Sequence, residues 1–208
     1  MAKIESSFKN MVLSLTIIST AFALCLGVVY ELTKEPIAKT QLNKKLNAIS
    51  QVVPEFNNNP DADMFMLNTP EGDSLEIYPA LNGEDLVGYA VNSYTMNGFS
   101  GEFSIMVGFN PDGSIYDIIV LSHAETPGLG SKMAEPEFKD QFKGKNPATF
   151  SLNVKKEGGD IDAITAATIS SKAFGDAINR AYKTLFPNGP DSFSGATASP
   201  VSENIQTE

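Results

Sequence analysis

The first pattern along the chain is a run of 20 residues at 11–30, MVLSLTIISTAFALCLGVVY, that holds no charge. A helix of that length is about 30 Å long, the thickness of a bilayer's hydrocarbon core. Its hydroxyls, on Ser14, Thr16, Ser19 and Thr20, suit lipid because each can bond back to a helix carbonyl. After Glu35-Pro36-Ile37 the apolar positions Ile37, Leu42, Leu46, Ile49 and Val52 predict a second helical stretch that stops near Pro54. The stretch FNNNPDAD at 56–63 is dense in turn residues and reads as a loop. Strand-like runs follow at 75–78 and 86–91, separated by the hairpin signal Asn82-Gly83.

A clearer hairpin is predicted from 103–109 and 115–121. These runs flank Asn110-Pro111-Asp112-Gly113, which has the type I preferences of Pro second and Gly fourth. Phe103, Ile105, Val107 and Phe109 alternate, so one face points inward. A short helix is expected over 136–142 and a longer one over 169–186, where Phe174, Ile178, Ala181 and Leu185 form one stripe. From Asn188 onward the composition is that of a disordered tail. The predicted class is α+β, with a mixed or antiparallel sheet and packed helices. The expected organisation is a short segment at 1–10, a transmembrane helix at 11–30, a domain at 31–187 and a tail at 188–208.

Composition changes this picture little. A cleaved signal peptide is the alternative to an anchor, but Ala21-Phe22-Ala23 lies inside the run and no small-x-small site follows it. Bulky Leu24 before Cys25 argues against a lipoprotein site. The formal charge is −10, and the ten residues before the span are net basic, so the acidity belongs to the domain. An acidic domain does not track phosphate backbones, and no nucleic-acid partner is expected. The single cysteine, Cys25, lies in the span and allows no intrachain disulfide. Lys3 and Lys9 precede the span and Lys34, Lys39, Lys44 and Lys45 follow it, a count that favours a cytoplasmic domain.

Two segments carry candidate chemistry. Residues 162–168, DAITAAT, run into the last helix and place Thr165, Thr168, Ser170 and Ser171 at its start. Such hydroxyls read first as helix caps. They also suit an anion, since the first helical turn leaves N–H groups unpaired at the positive end of the dipole. The second segment, SHAETPGLGSKM at 122–133, is a Gly-rich loop after the long strand. Its glycines would let backbone N–H groups approach a flat ligand, although most such loops are only turns. An echo of the first segment, DSFSGAT at 191–197, has no helix after it and makes Thr197 a rival to Thr168.

Together these segments resemble the two signatures of the FMN-binding domain family. That family includes the G subunit of the Rnf ion-translocating oxidoreductase and the C subunit of the sodium-pumping NADH:quinone oxidoreductase. The resemblance covers roughly 86–182, with Ala166 standing where the family commonly has Gly. If that position needs a positive φ, alanine strains it. The resemblance implies that Thr168 carries FMN through a phosphoester, with Thr165, Ala167 and the backbone near Ile169 around the phosphate. It implies a Glu125-Thr126-Pro127-Gly128-Leu129-Gly130 loop lining the flavin pocket. There Leu129 would press on the ring, while Glu125 and Thr126 would fix its polar edge or the loop. Asp162 matches the motif's acid and would hold the loop or place the threonine.

For His123, the one histidine, two roles stay open: proton donor to reduced flavin, or a strand-end residue bonded to backbone, the second being preferred. No Cys/His cluster points to iron–sulfur or zinc. The resemblance further implies an electron carrier rather than a stand-alone enzyme, working within a ferredoxin:NAD oxidoreductase complex of the Rnf type. The compact layout is nearer to the Rnf protein than to its quinone-oxidoreductase counterpart, and a non-relay FMN module is the other alternative. Other subunits of the complex, a flavin transferase and the inner membrane are the expected partners. The family also implies an extracytoplasmic domain, against the lysine count.

Overall fold

The structure is a computed structural model, and it describes residues 8–189. The chain divides at Lys44/Lys45 into two units. The first belongs to α1 (Phe8–Val52), which is one continuous helix where the sequence suggested two. Pro36 lies inside it. Hydroxyls bond back on both sides of the proline, Thr33 Oγ1 to the Val29 carbonyl and Thr40 Oγ1 to the Pro36 carbonyl, each at 2.8 Å. The most apolar stretch of α1 is long enough to cross a membrane, and none of it is buried by the protein. A core helix hides that surface within its protein, whereas a membrane span gives it to lipid.

The second unit is built on a five-stranded antiparallel meander. Its strands are β1 (Phe65–Asn68), β2 (Ser74–Asn82), β3 (Asp85–Gly98), β4 (Gly101–Phe109) and β5 (Ile115–Ser122), in that spatial order. α2 (Pro136–Lys139) and three 3₁₀ turns (Gly130–Ala134, Asp140–Phe142 and Lys155–Glu157) lead to α3 (Thr168–Leu185). Both expected hairpins are present, as are the helices expected at 136–142 and 169–186. β1 is additional, and β3 runs on to Gly98 through the polar residues Asn92, Ser93 and Thr95. β4 supplies their backbone partners, so the extension needs no apolar alternation of its own.

Both faces of the sheet are covered. On one, Leu75, Ile77, Val91, Phe103, Ile105 and Val107 pack against Phe174, Ile178, Ala181 and Leu185, the stripe read from the sequence. On the other, Tyr78, Ala80, Ala90 and Met106 pack against Ala48, Ile49, Val52 and Val53 at the end of α1 and just beyond it. A Cβ at Gly108 would collide with the Val52 carbonyl, so glycine lets the helix end lie flat on β4. α3 is also pinned through its backbone, since buried Ser93 Oγ donates to the Ala177 carbonyl at 2.7 Å. Phe138 and Phe142 hold its first half, each 5.3 Å from the Phe174 ring between centroids.

The second face carries an acid-sensitive tie. Burial alone would raise the Glu76 carboxyl, but Lys45, Asn92 and Tyr78 all donate to its Oε2 and hold it below its ordinary value of 4.5. A carboxyl held low in the folded state stabilises above its unfolded value, and that contribution is lost as the pH falls through the lower folded value. Urea midpoints are expected to fall as the pH drops below about 4.5. The fall should be smaller in Glu76→Gln, and equal acid sensitivity in the two proteins would assign it elsewhere.

Candidate functional site

α3 begins at Thr168, and its N-cap is Ala167, with no side-chain capping bond. The capping reading of the hydroxyl cluster is therefore corrected. The two serines are structural: Ser171 Oγ accepts from the Ile164 N–H and donates to the Ala167 carbonyl, both at 2.9 Å, and Ser170 Oγ donates to Glu125 Oε2 at 2.8 Å. The two threonines are left over. Thr165 is exposed, Thr168 half-buried, and neither hydroxyl has a hydrogen-bond partner among the described residues. Thr168 thus presents an idle hydroxyl in the turn where backbone N–H groups lack intrahelical acceptors.

The loop before it is held from the side. Gln141 brackets the Asp162 backbone, accepting its N–H at 2.8 Å and donating to its carbonyl at 3.4 Å. The Asp162 carboxylate pairs with Lys155 at 2.6 Å on the surface. Ala166 has φ 61°, the one positive φ at a non-glycine among the described residues. A left-handed alanine costs about 1 kcal/mol relative to glycine. Ala166→Gly is accordingly expected to stabilise the domain by about 1 kcal/mol in chemical denaturation, with cofactor content unchanged. A neutral or destabilising outcome would show that the loop carries no such strain.

The Gly-rich loop meets α3 through Glu125, which is 4% exposed. Besides the Ser170 hydroxyl, its carboxylate accepts the N–H of Ser100, at the tip of the β3–β4 hairpin, at 3.1 Å. Three segments thus converge on one side chain. Two glycines make room for it, since a Cβ on Gly98 or on Gly130 would run into the carboxylate. Glu125 therefore serves the loop itself. The Thr126 carbonyl accepts from the Leu129 and Ser131 N–H groups, closing the turn, while Gly128 takes φ 76° and donates to Ser131 Oγ. His123 lies just beyond β5, exposed, with no hydrogen bond among the described residues; the backbone bond preferred for it is not made.

Around this junction lie apolar side chains that the core does not use. Leu129 is 41% exposed, Ile169 53% and Phe99 68%. Phe99 was not singled out as a site residue from the sequence; only the Ser100–Glu125 bond, between residues far apart in the chain, brings its hairpin tip to the loop. Thr197 lies outside the described residues. The site thus offers an unpartnered hydroxyl, a helix start suited to a phosphate and apolar surface suited to a flat ring, so the residues present fit FMN.

Comparison with known proteins identifies the family. A model of the FMN-binding domain matches residues 98–183, which takes in the hairpin tip, the Gly-rich loop and most of α3. The chain is 34% identical to the G subunit of the ion-translocating oxidoreductase complex of Aliivibrio fischeri, over 86% of this chain and 92% of that one. It is 32% identical to the G subunit of the Na(+)-translocating ferredoxin:NAD(+) oxidoreductase complex of Acetobacterium woodii, over 80% and 86%. Among solved structures, the C subunit of the Na(+)-translocating NADH-quinone reductase from Parabacteroides distasonis superimposes with a TM-score of 0.43 at 24% identity, over 54% of this chain and 60% of that one. With identity above 30% sustained over most of both chains, this protein belongs to the family of G subunits of ion-translocating oxidoreductase complexes.

Proposed function

We propose that this chain is a single-pass membrane electron carrier whose FMN is esterified to Thr168 and which relays electrons within an Rnf-type ion-translocating ferredoxin:NAD oxidoreductase complex. The observation that carries the reading is the Thr168 hydroxyl, unpartnered among the described residues at the first turn of α3 while both neighbouring serines are spent on the fold. When bound, FMN supplies the redox chemistry, since it takes up and releases one or two electrons. The chain's residues supply attachment and position. Thr168 Oγ1 would be the ester oxygen. The first-turn N–H groups, with Thr165 and Ala167 beside them, would hold the phosphate. Leu129, Ile169 and Phe99 offer apolar contact to the ring, and Glu125 and the loop through Thr126, Gly128 and Gly130 keep that surface in register with α3. Asp162 holds the approach to the threonine through Gln141 and Lys155.

The curated relatives are G subunits, which supports the Rnf-type reading over the quinone-reductase one. The chain is an electron-carrier component of its complex, with a flavin transferase as its maturation partner. We place the domain outside the cytoplasm despite the lysines that follow the span. A covalent tether is useful where lost FMN cannot be replaced from a cytoplasmic pool. The reading is tested by mixing the flavin-loaded protein with the other purified subunits and following flavin absorbance. Reduction and reoxidation by those partners are expected, and a flavin inert to all of them would make this a non-relay FMN module.

A further inference from the structure

The face of α3 that starts at Thr168 continues into a cleft. Residues 168, 172, 176 and 179 recur at the spacing that stacks side chains on one helix face. Lys172, Asp176 and Asn179 line a cleft of about 460 Å³, walled also by Asn97 of β3, Asn153 and Ile169. Asp176 accepts from Thr95 Oγ1 at 2.7 Å and from Asn97 Nδ2 at 3.1 Å, which fixes its carboxylate in the wall. The side-chain amides of Asn153 and Asn179 have no hydrogen-bond partner among the described residues. Lys172 pairs with Glu157, at 2.9 Å, and both side chains are about half exposed. Such a pair contributes at most about 1 kcal/mol and is readily exchanged for another anion.

An isoalloxazine ring has two unlike ends. Its dimethylbenzene edge is apolar, and its pyrimidine edge presents a carbonyl, an N–H and a second carbonyl. The structure has both kinds of surface side by side. The hairpin that carries exposed Phe99 also supplies Asn97 to the cleft, and exposed Ile169 borders it. We infer that the flavin ring tethered to Thr168 lays its pyrimidine edge in the α3 cleft, and that Lys172 is the positive charge that tunes its reduction potential. This rests on Thr168 being the attachment point. Lys172 stands one helical turn from Thr168, roughly 6 Å along the axis and within the reach of a ribityl chain. A cation beside the pyrimidine edge favours the electron-rich reduced ring, and in a partly enclosed cleft its effect is less screened than in water. Asp176 and the asparagine amides match the N–H and carbonyls of that edge.

The test uses the full chain produced with and without its flavin transferase. The mass of the Thr168 peptide is read first, then the flavin's midpoint potential and the rate at which N-hydroxysuccinimidyl acetate acylates each lysine. Lys172→Gln should lower the potential and Lys172→Arg should restore most of it. In the unsubstituted protein, Lys172 should react severalfold more slowly when flavin is attached, while Lys183, exposed near the end of α3, should react equally in both forms. FMN on Thr168 with the potential unchanged in Lys172→Gln would overturn the inference and leave the attachment standing. Absence of FMN from the Thr168 peptide would overturn both.

Discussion

Thr168→Ala is expected to remove all covalent flavin, so that the denatured polypeptide shows no fluorescence under ultraviolet light and no FMN mass. The loss should come without unfolding. The hydroxyl has no partner within the described residues, and alanine is a better helix former, so stability should change by no more than about 0.5 kcal/mol. This separates the variant from one that loses flavin by losing its fold. Thr197→Ala should keep the full flavin content, because a useful flavin site needs a preformed surface around the reacting oxygen and the following helix supplies one at Thr168. Residual fluorescence in Thr168→Ala, or FMN on a peptide containing Thr197, would place the attachment in the echo at 191–197.

Glu125→Ala is expected to be the most damaging of the proposed substitutions to stability, at about 2–4 kcal/mol. The alanine would leave the Ser170 hydroxyl, buried at 1% exposure, and the Ser100 N–H without their acceptor, and would open a cavity between the Gly-rich loop and α3. Flavin loading should fall with it, since among the described residues no other side-chain hydrogen bond joins the Gly-rich loop to the hairpin tip or to the first turn of α3. Glu125→Gln keeps an acceptor for Ser100 and can donate to Ser170, so it should cost about 1 kcal/mol and retain most loading. Urea denaturation of the three proteins decides this. An alanine variant as stable as the parent would show that the junction is held by packing rather than by the carboxylate.

How much of the protein is readable along the chain follows from how local each cause is. The α3 stripe and the β4–β5 hairpin are legible because their periods and turn residues lie within a few positions of one another. Ala166 stands where the resembling family commonly has Gly, and the condition under which alanine would be strained there, a positive φ, holds at 61°. β1 and the far end of β3 are illegible for the opposite reason. β1 is only four residues long, and the polar residues at the far end of β3 become strand because neighbouring strands satisfy their backbone groups.

The same division runs through the site. Local order alone says that several hydroxyls crowd the start of the last helix and that an anion would suit them. Which hydroxyl is free is decided by partners far away in the chain: Ser170 is taken by Glu125, 45 residues earlier, and Thr168 is taken by nothing described. Phe99, Asn97 and the α3 cleft enter for the same reason, through a hairpin that the carboxylates of Glu125 and Asp176 hold against the loop and the helix. Hydrogen bonds and contacts act over a few ångströms in space whatever the separation in sequence. Patterns of spacing could therefore specify the anchor and most of the elements, and resemblance the motif, whereas the surroundings of its threonine came into being only when the sheet had folded.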